Sequence, residues 1–227
     1  MTLQITEIFR SIQGESTRAG LPCVFVRLTG CNLRCRWCDT AYAFYGGRRM
    51  ELDAVVAAVV AQPGRLVEIT GGEPLLQAPA VAALAQRLLE LDYTVMLETS
   101  GERDLSTVPA PVIKIVDVKC PGSGEGATFQ ESNLKWLQAW DELKFVIADR
   151  ADYDYARGFV AAHGLTGVAP ALLFSPAFRK DAAGERGAAQ CELDPQDLAT
   201  WMLRDALPAR LSLQVHKFIW DPALHGV

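Results

Sequence analysis

The chain has 227 residues, of which 50% are hydrophobic and 22% are charged. This composition is too apolar for a disordered protein, and the length suits one hydrophobic core, so we expect a single domain over residues 1–227. The formal net charge of −5 argues against nucleic acid as the main partner, because nucleic-acid binding relies on clustered Lys and Arg, and it favours a small ligand.

The sequence shows no sign of a membrane segment or of export. No run of about 18 apolar residues is free of charge, and the N-terminal segment MTLQITEIFRSIQGE lacks both a basic region and a long apolar region. We therefore expect a cytoplasmic protein with no membrane partner.

Short apolar runs alternate with longer segments of helical period, which is the pattern of a mainly parallel α/β fold. We predict strands over residues 23–29, 65–70, 94–99, 112–119, 141–148 and 171–176, with a late strand over 211–218. We predict helices over residues 51–62, 78–91, 132–139, 151–164 and 194–207.

Polar side chains share one face of several predicted strands. Arg27 lies on the face opposite Val26 and Leu28, because successive side chains of a strand point to opposite faces. By the same parity Glu98 shares a face with Ser100, Asp117 with Lys119, Glu142 with Lys144, and Gln214 with His216. Such groups are costly to bury in a covered sheet unless they line a cavity, and the alternative is exposure at the strand ends. We predict a pocket at the carboxyl ends of the strands of a closed or partly closed barrel.

The six cysteines are too few for a disulfide scaffold, and a reducing compartment favours metal or redox chemistry for those that cluster. Cys31, Cys35 and Cys38 form the pattern C-x3-C-x2-C directly after the first predicted strand. We expect the others to be ordinary buried residues, namely Cys23, Cys120 and Cys191.

Three thiolates are one ligand short of a structural zinc site, and no histidine lies nearby in the sequence to complete it. A [4Fe-4S] cluster held by three cysteines leaves one iron open to an outside ligand, whereas an electron-transfer cluster normally takes four. The spacing therefore favours an open cluster. A catalytic zinc ion with three protein ligands and a water is the alternative.

The cysteine pattern resembles the signature of the radical S-adenosylmethionine (SAM) enzymes, in which the open iron binds the amino and carboxylate groups of SAM. The segment ITGGEPLL, residues 69–76, is similar to the GGEP segment that follows the second strand in that superfamily. The resemblance narrows to the 7-carboxy-7-deazaguanine synthases through the segments FRSIQGEST, FVRLTGCNLRCRWCDT, LETSG, DVKCPGSGE and LQVHKF. Together these segments extend over nearly the whole chain.

The resemblance implies a partial, TIM-like β/α barrel of radical SAM type with about six mainly parallel core strands, in a homodimer. It implies a lyase that converts 6-carboxy-5,6,7,8-tetrahydropterin to 7-carboxy-7-deazaguanine with loss of ammonia, on the way to queuosine. The implied cofactors are a [4Fe-4S] cluster, SAM and Mg²⁺. The implied partners are the pterin substrate and an electron donor, such as a flavodoxin-like protein, for the reductive cleavage of SAM.

The resemblance also implies site residues, position by position. The cluster ligands are Cys31, Cys35 and Cys38. The SAM contacts are Trp37, Cys38, Asp39, Gly72, Glu73, Ser100, Asp117, Val118, Lys119, Ser175 and Pro176. The substrate contacts are Ile12, Gln13, Gly14, Glu15, Arg27, Thr70 and His216. Thr40 is the implied Mg²⁺ ligand, and Asp39 is the competing one.

Physical chemistry supports two of these roles independently. The planar guanidinium of Arg27 offers two parallel hydrogen bonds to a carboxylate, which a 6-carboxypterin presents. Mg²⁺ prefers oxygen ligands and keeps several waters, so the hydroxyl of Thr40 suffices if the substrate supplies the rest. Other positions have ordinary alternatives, since Gln13 and Glu15 can cap a turn and His216 can be a hydrogen-bonded core residue. Thr40 can simply form a local hydrogen bond, and Trp37 can serve as general hydrophobic cover.

Two other functions stay open at the level of the sequence. A small radical SAM activase that makes a glycyl radical on a partner protein shares the three-cysteine motif, but it gives no reason for Arg27 or for the segment SIQGE. A non-enzymatic metal-binding module is favoured only by the cysteines.

Overall fold

The structure is a computed structural model that describes residues 1–165, 170–180, 185, 187–221 and 224–226. Its strands are β1 (Thr2–Ile12), β2 (Pro22–Leu28), β3 (Arg48–Glu51), β4 (Leu66–Gly71), β5 (Thr94–Thr99), β6 (Ile113–Asp117), β7 (Glu142–Ile147), β8 (Ala171–Pro176) and β9 (Arg210–Leu211). Its α-helices are α1 (Leu52–Val60), α2 (Ala78–Glu90), α3 (Arg150–Ala162), α4 (Pro195–Arg204) and the one-turn α5 (His216–Ile219). Among the described residues, no helix is both long enough and apolar enough to cross a membrane.

All the strands of the described residues join one sheet, in the order β3-β1-β2-β4-β5-β6-β7-β8-β9. Neighbours from β2 to β9 are parallel, whereas β1 pairs antiparallel with both β2 and β3. The sheet is open, with β3 at one edge and β9 at the other. This architecture confirms the predicted α/β fold, an incomplete barrel whose six longer parallel strands are β2, β4, β5, β6, β7 and β8.

Alternation along the strands separates the hydrophobic core from the polar face. Val26 and Leu28 of β2 are buried in the main hydrophobic cluster, together with Ile69 of β4. Helix α2 covers this cluster with residues spaced i, i+3, i+4 and i+7, which form one apolar face of a helix: Val81, Leu84, Ala85 and Leu88. The opposite face of the strands is therefore free to present polar side chains.

Two predictions about individual elements are wrong. The late strand over residues 211–218 is not formed, because only Arg210–Leu211 pairs with β8 and His216–Ile219 is helical. The helix predicted over 132–139 is instead a 3-10 helix, Glu131–Trp136. Strands β1 and β3 are absent from the prediction, since most of their side chains are not buried and give no apolar run.

Candidate active site

The parallel strands open at their carboxyl ends into a cavity of about 510 Å³. Arg27 is the second-to-last residue of β2, Thr70 the second-to-last of β4, and Asp117 the last of β6, and all three line it. A cavity of this size is in the range of roughly 300–1,000 Å³ that encloses small molecules. The pocket predicted from strand parity is confirmed for β2, β5 and β6, through Arg27, Glu98 and Asp117, and for Lys144 of β7. Glu142 instead begins β7 and bonds Thr17.

Most of the predicted site residues meet at this cavity. Its lining includes Ile12, Gln13, Gly14, Glu15, Arg27, Cys31, Cys35, Trp37, Cys38, Asp39, Thr40, Thr70, Gly72, Glu73, Ser100, Asp117, Lys119 and His216. Three predicted SAM contacts are not part of the lining. Val118 is buried in the hydrophobic core, and Ser175 and Pro176 are buried at the end of β8. Contact of these three with SAM stays a prediction.

The clustered cysteines lie on the loop that follows β2. All three are free thiols and line the cavity: Cys31, Cys35 and Cys38. Burial raises the pKa of each thiol, to about 11 for Cys35. Cys23 and Cys120 are buried as predicted, but the prediction is wrong for Cys191, which is only half-buried and pairs with Phe178 in an isolated bridge outside the sheet.

The arrangement of the three thiols suits one kind of metal group better than another. In the part of the chain that the structure describes, no three His, Cys, Asp or Glu side chains converge tightly enough to hold a single metal ion. A [4Fe-4S] cluster makes a different demand, because each thiolate binds a different iron and the sulfurs need not meet at one point. Three free thiols on one cavity wall therefore fit a cluster.

Gly72 brings the GGEP segment into direct contact with the cysteine loop. A Cβ atom at this position would lie 2.1 Å from the carbonyl oxygen of Gly30 and 2.7 Å from Cys31 Cβ. Real Cβ contacts are never that short, so the position requires glycine for the close approach of the two loops. This packing couples the segment after β4 to the segment that carries the thiols.

Glu73 fastens the GGEP segment to the end of β5. One carboxylate oxygen accepts hydrogen bonds from Thr99 Oγ1 at 2.7 Å and from the Leu75 amide at 3.0 Å. The other accepts from the amide and the hydroxyl of Ser100, at 2.9 and 2.7 Å. Both oxygens are thus engaged by protein, and Glu73 holds Ser100 in the cavity wall. The predicted contact of Glu73 with SAM stays a prediction.

Asp117 and Lys119 form a charged pair on the cavity wall. Lys119 Nζ donates to Asp117 Oδ2 at 2.7 Å, while Asp117 Oδ1 is buried and has no hydrogen-bond partner among the residues described. A buried carboxylate oxygen without a partner is unfavourable unless a ligand satisfies it. The pair therefore offers both a positive and a negative group to a zwitterionic ligand, and its contact with SAM stays a prediction.

The side chains that hold Arg27 in place are not among the residues predicted from the sequence. Its Nε donates to Glu7 Oε1 at 2.8 Å, and Tyr42 Oη donates to the same oxygen at 2.7 Å. The guanidinium carbon lies 5.6 Å from the ring centre of Phe9 and 5.8 Å from that of Tyr42. These contacts fix the plane of the guanidinium and leave its terminal nitrogens for a ligand.

The turn after β1 joins the cavity to the C-terminal segment. Gln13 Oε1 accepts from the Glu15 amide at 2.6 Å, so the turn-capping alternative for Gln13 is realised, and its Nε2 donates to Glu68. The Val215 amide donates to the Gly14 carbonyl at 2.8 Å, and a Cβ on Gly14 would lie 1.9 Å from His216 Nδ1. This docking against the turn explains why His216 starts a helix rather than continuing a strand.

Asp39 and Thr40 are linked to each other and to the C-terminal segment. Thr40 Oγ1 donates to Asp39 Oδ1 at 2.8 Å, and Lys217 Nζ pairs with Asp39 Oδ2 at 2.7 Å. Desolvation would raise the pKa of Asp39, but the Lys217 ammonium, together with His216 and the Thr40 hydroxyl, outweighs it and holds that pKa well below its usual range. Asp39 is therefore an ionised carboxylate with both oxygens occupied.

The predicted site omits several cavity residues with defined contacts, among them Tyr42, Glu68 and Lys217, and it also omits Glu7, which bonds Arg27. The alternation of side chains along β4 could have indicated Glu68, because Glu68 shares a face of this strand with the predicted substrate contact Thr70. Nothing comparable was available for Glu7, because β1 is not recognisable as a strand from its pattern.

Comparison with known proteins adds sequence similarity over the full length. The Radical SAM superfamily matches residues 25–116. The chain is 58% identical over 226 residues to the 7-carboxy-7-deazaguanine synthase of Koribacter versatilis, covering 99% of this chain and 100% of that protein. It is 42% identical over 228 residues to the 7-carboxy-7-deazaguanine synthase of Chlorobaculum tepidum, covering 99% and 97%.

Solved structures support the fold. The crystal structure of QueE from Escherichia coli superposes with a TM-score of 0.71 at 23% identity and covers 94% of each chain. A radical SAM methyltransferase from Sphaerobacter thermophilus gives a TM-score of 0.55 at 16% identity, covering 94% of this chain and 76% of that one. With a fold of radical SAM type, three cysteines on its cavity and full-length similarity to these synthases, the chain belongs to the 7-carboxy-7-deazaguanine synthase family of the radical SAM superfamily.

Proposed function

We propose that this chain is a lyase that converts 6-carboxy-5,6,7,8-tetrahydropterin to 7-carboxy-7-deazaguanine with loss of ammonia, on the way to queuosine. The observation that carries the proposal is that one cavity combines three free cysteines with the partly buried guanidinium of Arg27. The first group suits a cluster and the second suits a carboxylated substrate. The full-length similarity to 7-carboxy-7-deazaguanine synthases supports the same reading.

The cofactors of this reaction have matching positions on the cavity. Cys31, Cys35 and Cys38 would hold a [4Fe-4S] cluster, while Asp117 and Lys119 would contact SAM. When bound, these groups supply the abstraction of a hydrogen atom from the substrate. The protein orients the reactants and limits the access of water.

Arg27 binds the substrate carboxylate in this proposal. Because Nε is engaged by Glu7, the terminal nitrogens are the ones left to form parallel hydrogen bonds to the carboxylate. The rings of Phe9 and Tyr42 restrict rotation of the guanidinium, so less freedom is lost when the substrate binds. The contact thus fixes one end of the pterin relative to the cysteine loop.

Thr40 is the proposed protein ligand of a catalytic Mg²⁺. Its hydroxyl proton is directed to Asp39, which leaves the lone pairs of Oγ1 available to a cation. Asp39 is the competing ligand, but its two oxygens are already engaged by Thr40 and Lys217. An Mg²⁺ ion with one protein ligand would complete its shell with water and with oxygens of the substrate.

Four broader properties complete the proposal, two of them from the composition and the N-terminal segment and two from the resemblance. We propose a single domain over residues 1–227, a homodimer, a cytoplasmic location and an electron donor of the flavodoxin type. The single sheet that contains every described strand supports the first of these. The alternatives of a glycyl-radical activase and of a metal-binding module are not favoured, since the similarity to named synthases covers 99% of the chain.

A genetic test addresses the function inside a cell. Bacteria that lack their own 7-carboxy-7-deazaguanine synthase should regain queuosine when they express this chain. The matched control is Cys35→Ala, which should be produced at a similar level and fail to restore queuosine. Failure of the parent chain, or restoration by Cys35→Ala, would contradict the proposal.

A further inference from the structure

Lys144 occupies the centre of a charged cluster in the cavity. It projects from β7 and is only 3% exposed. Its Nζ donates to Glu15, donates to Glu98 Oε1 at 2.8 Å, and lies 3.9 Å from Asp117 Oδ2. The three acids come from different elements, which are the turn after β1, strand β5 and strand β6. One ammonium therefore ties together parts of the chain that are far apart in sequence.

Two chains of hydrogen bonds connect Lys144 to residues predicted to contact the substrate. Along one, Glu15 is held by Lys144 and by Gln214 Nε2, and its amide is bonded to Gln13 Oε1 at 2.6 Å. Along the other, Glu98 Oε2 accepts a hydrogen bond from Thr70 Oγ1 at 3.3 Å. The positions of Gln13, Glu15 and Thr70 thus depend on one lysine.

Two carboxylates brought together in a buried place repel each other unless a cation lies between them. Burial raises the pKa of Glu98 even with Lys144 beside it. Burial would also raise the pKa of Glu15, but there the Lys144 ammonium and His216 together outweigh it and hold the pKa below its usual value. Without Lys144 the two carboxyl groups would take up a proton or move apart.

We propose that Lys144 is a positioning residue that holds Glu15 and Glu98 together beside the substrate and so sets the substrate affinity of the cavity. The inference rests on the proposed function for the identity of the substrate. It concerns a side chain that neither the cysteine motif nor the resemblance assigns to the site.

Loss of the Lys144 ammonium should shift the pH dependence of catalysis in a defined direction. The other titratable and charged groups that face Glu15, Glu98 and Lys144 include Asp39, Glu68, Asp117, Lys119, Glu142 and His216. Removing the ammonium takes away the group that lowers the pKa of both glutamates, so both values rise. The acid limb of the pH profile of kcat/KM should therefore move to higher pH in Lys144→Met.

A matched control separates this role from the general cost of removing a buried lysine. Lys114 is 1% exposed, and its Nζ lies 2.8 Å from Asp141 Oδ2, but it does not line the cavity. Lys144→Met and Lys114→Met therefore make the same chemical change in and away from the site. For folded holoenzyme, kcat/KM should fall by about 10- to 100-fold in Lys144→Met, mainly through KM, and change little in Lys114→Met.

A rescue variant tests the charge argument itself. Glu98→Gln in the Lys144→Met background removes one of the two repelling carboxylates, so the double variant should bind substrate more tightly than Lys144→Met alone. A role of Lys144 in packing alone predicts no rescue. Equal losses in Lys144→Met and Lys114→Met, or a double variant no better than the single one, would overturn the proposal.

A measurement without substrate separates failure of this inference from failure of the proposed function. Infrared titration of holoenzyme labelled with ¹³C at the glutamate carboxyl groups should show a carboxylate signal that titrates at higher pH in Lys144→Met and is unchanged in Lys114→Met. An unchanged titration in Lys144→Met would overturn the inference whatever the parent enzyme catalyses. A parent enzyme without activity on the carboxypterin, together with the expected titration, would overturn the proposed function and the substrate part of the inference.

Discussion

One carboxylate oxygen of Glu7 accepts a hydrogen bond from Arg27 Nε at 2.8 Å, across the antiparallel pairing of β1 with β2. Strand β1, which adds an antiparallel neighbour to the parallel sheet, thus fixes the guanidinium that we assign to the substrate carboxylate. An arginine at position 27 therefore forms two kinds of hydrogen bond, one from Nε to Glu7 and the others from its terminal nitrogens to the ligand.

Arg27→Lys keeps the charge but removes both the Nε donor and the planar fork. We expect kcat/KM to fall by one to two decades, which corresponds to about 1.5–3 kcal/mol for lost charge-assisted hydrogen bonds. SAM binding should be unchanged. Steady-state kinetics with substrate well below saturation measures the effect, and Arg10→Lys, at an exposed position on β1, is the control that should behave like the parent. Normal turnover in Arg27→Lys would contradict the contact of Arg27 with the substrate carboxylate.

The cysteines divide into two groups with different expected effects. Alanine at any one of Cys31, Cys35 or Cys38 should abolish iron binding and the cleavage of SAM, because the cluster loses one of its three ligands. Iron content and visible absorption after anaerobic reconstitution measure the first effect, and a cleavage assay measures the second.

The controls are alanine variants of the remaining cysteines, Cys23, Cys120 and Cys191. They should keep both properties, and Cys191→Ala is the best match for Cys35→Ala because both thiols are free and half-buried. An intact cluster in Cys35→Ala would contradict the assignment of the ligands.

Gly72→Ala tests the contact between the GGEP segment and the cysteine loop. The added Cβ would overlap the Gly30 carbonyl oxygen and Cys31 Cβ, so we expect unfolding free energy to fall by about 1–3 kcal/mol and the iron content to drop. The control is Gly158→Ala, in the exposed part of α3, where a Cβ meets no atom within 4 Å. That variant should gain about 0.5–1 kcal/mol. Denaturant unfolding of both variants measures the difference, and full iron content in Gly72→Ala would contradict the coupling.

Thr40→Val keeps the shape of the side chain and removes its oxygen. We expect this variant to retain the cluster and SAM binding but to lose most of the stimulation of turnover by Mg²⁺, because the hydroxyl is the proposed ligand. Titration of turnover with MgCl₂ is the measurement, with Asp39→Asn as the comparison. If Thr40→Val responds like the parent and Asp39→Asn does not, the ligand is Asp39.

The sequence predicts the strands and helices correctly where a local pattern of residues is compatible with only one secondary structure. The six core strands are short, mainly apolar runs, and the parity of the polar residues within them correctly predicts that Arg27, Glu98 and Asp117 face the cavity. Helices α1 to α4 follow from their period and from residues such as Asp194, which accepts a hydrogen bond from the Gln196 amide at the start of α4.

The remaining features depend on contacts between distant parts of the chain. Strand β1 buries few side chains and is held by pairing with β2, so its own pattern does not reveal it or Glu7. The segment around His216 has the composition of a strand, but it becomes helical where it docks on the turn at Gly14. Lys217 reaches Asp39 only because of that docking.

The most direct test of the central claim is a single anaerobic reaction of the purified, reconstituted chain with SAM, Mg²⁺, a reductant and 6-carboxy-5,6,7,8-tetrahydropterin, followed by mass spectrometry. The account predicts 7-carboxy-7-deazaguanine and ammonia in equal amounts, and no product when SAM or the reductant is left out. Unchanged pterin in a reaction where SAM is cleaved, or conversion that continues without SAM, would contradict it.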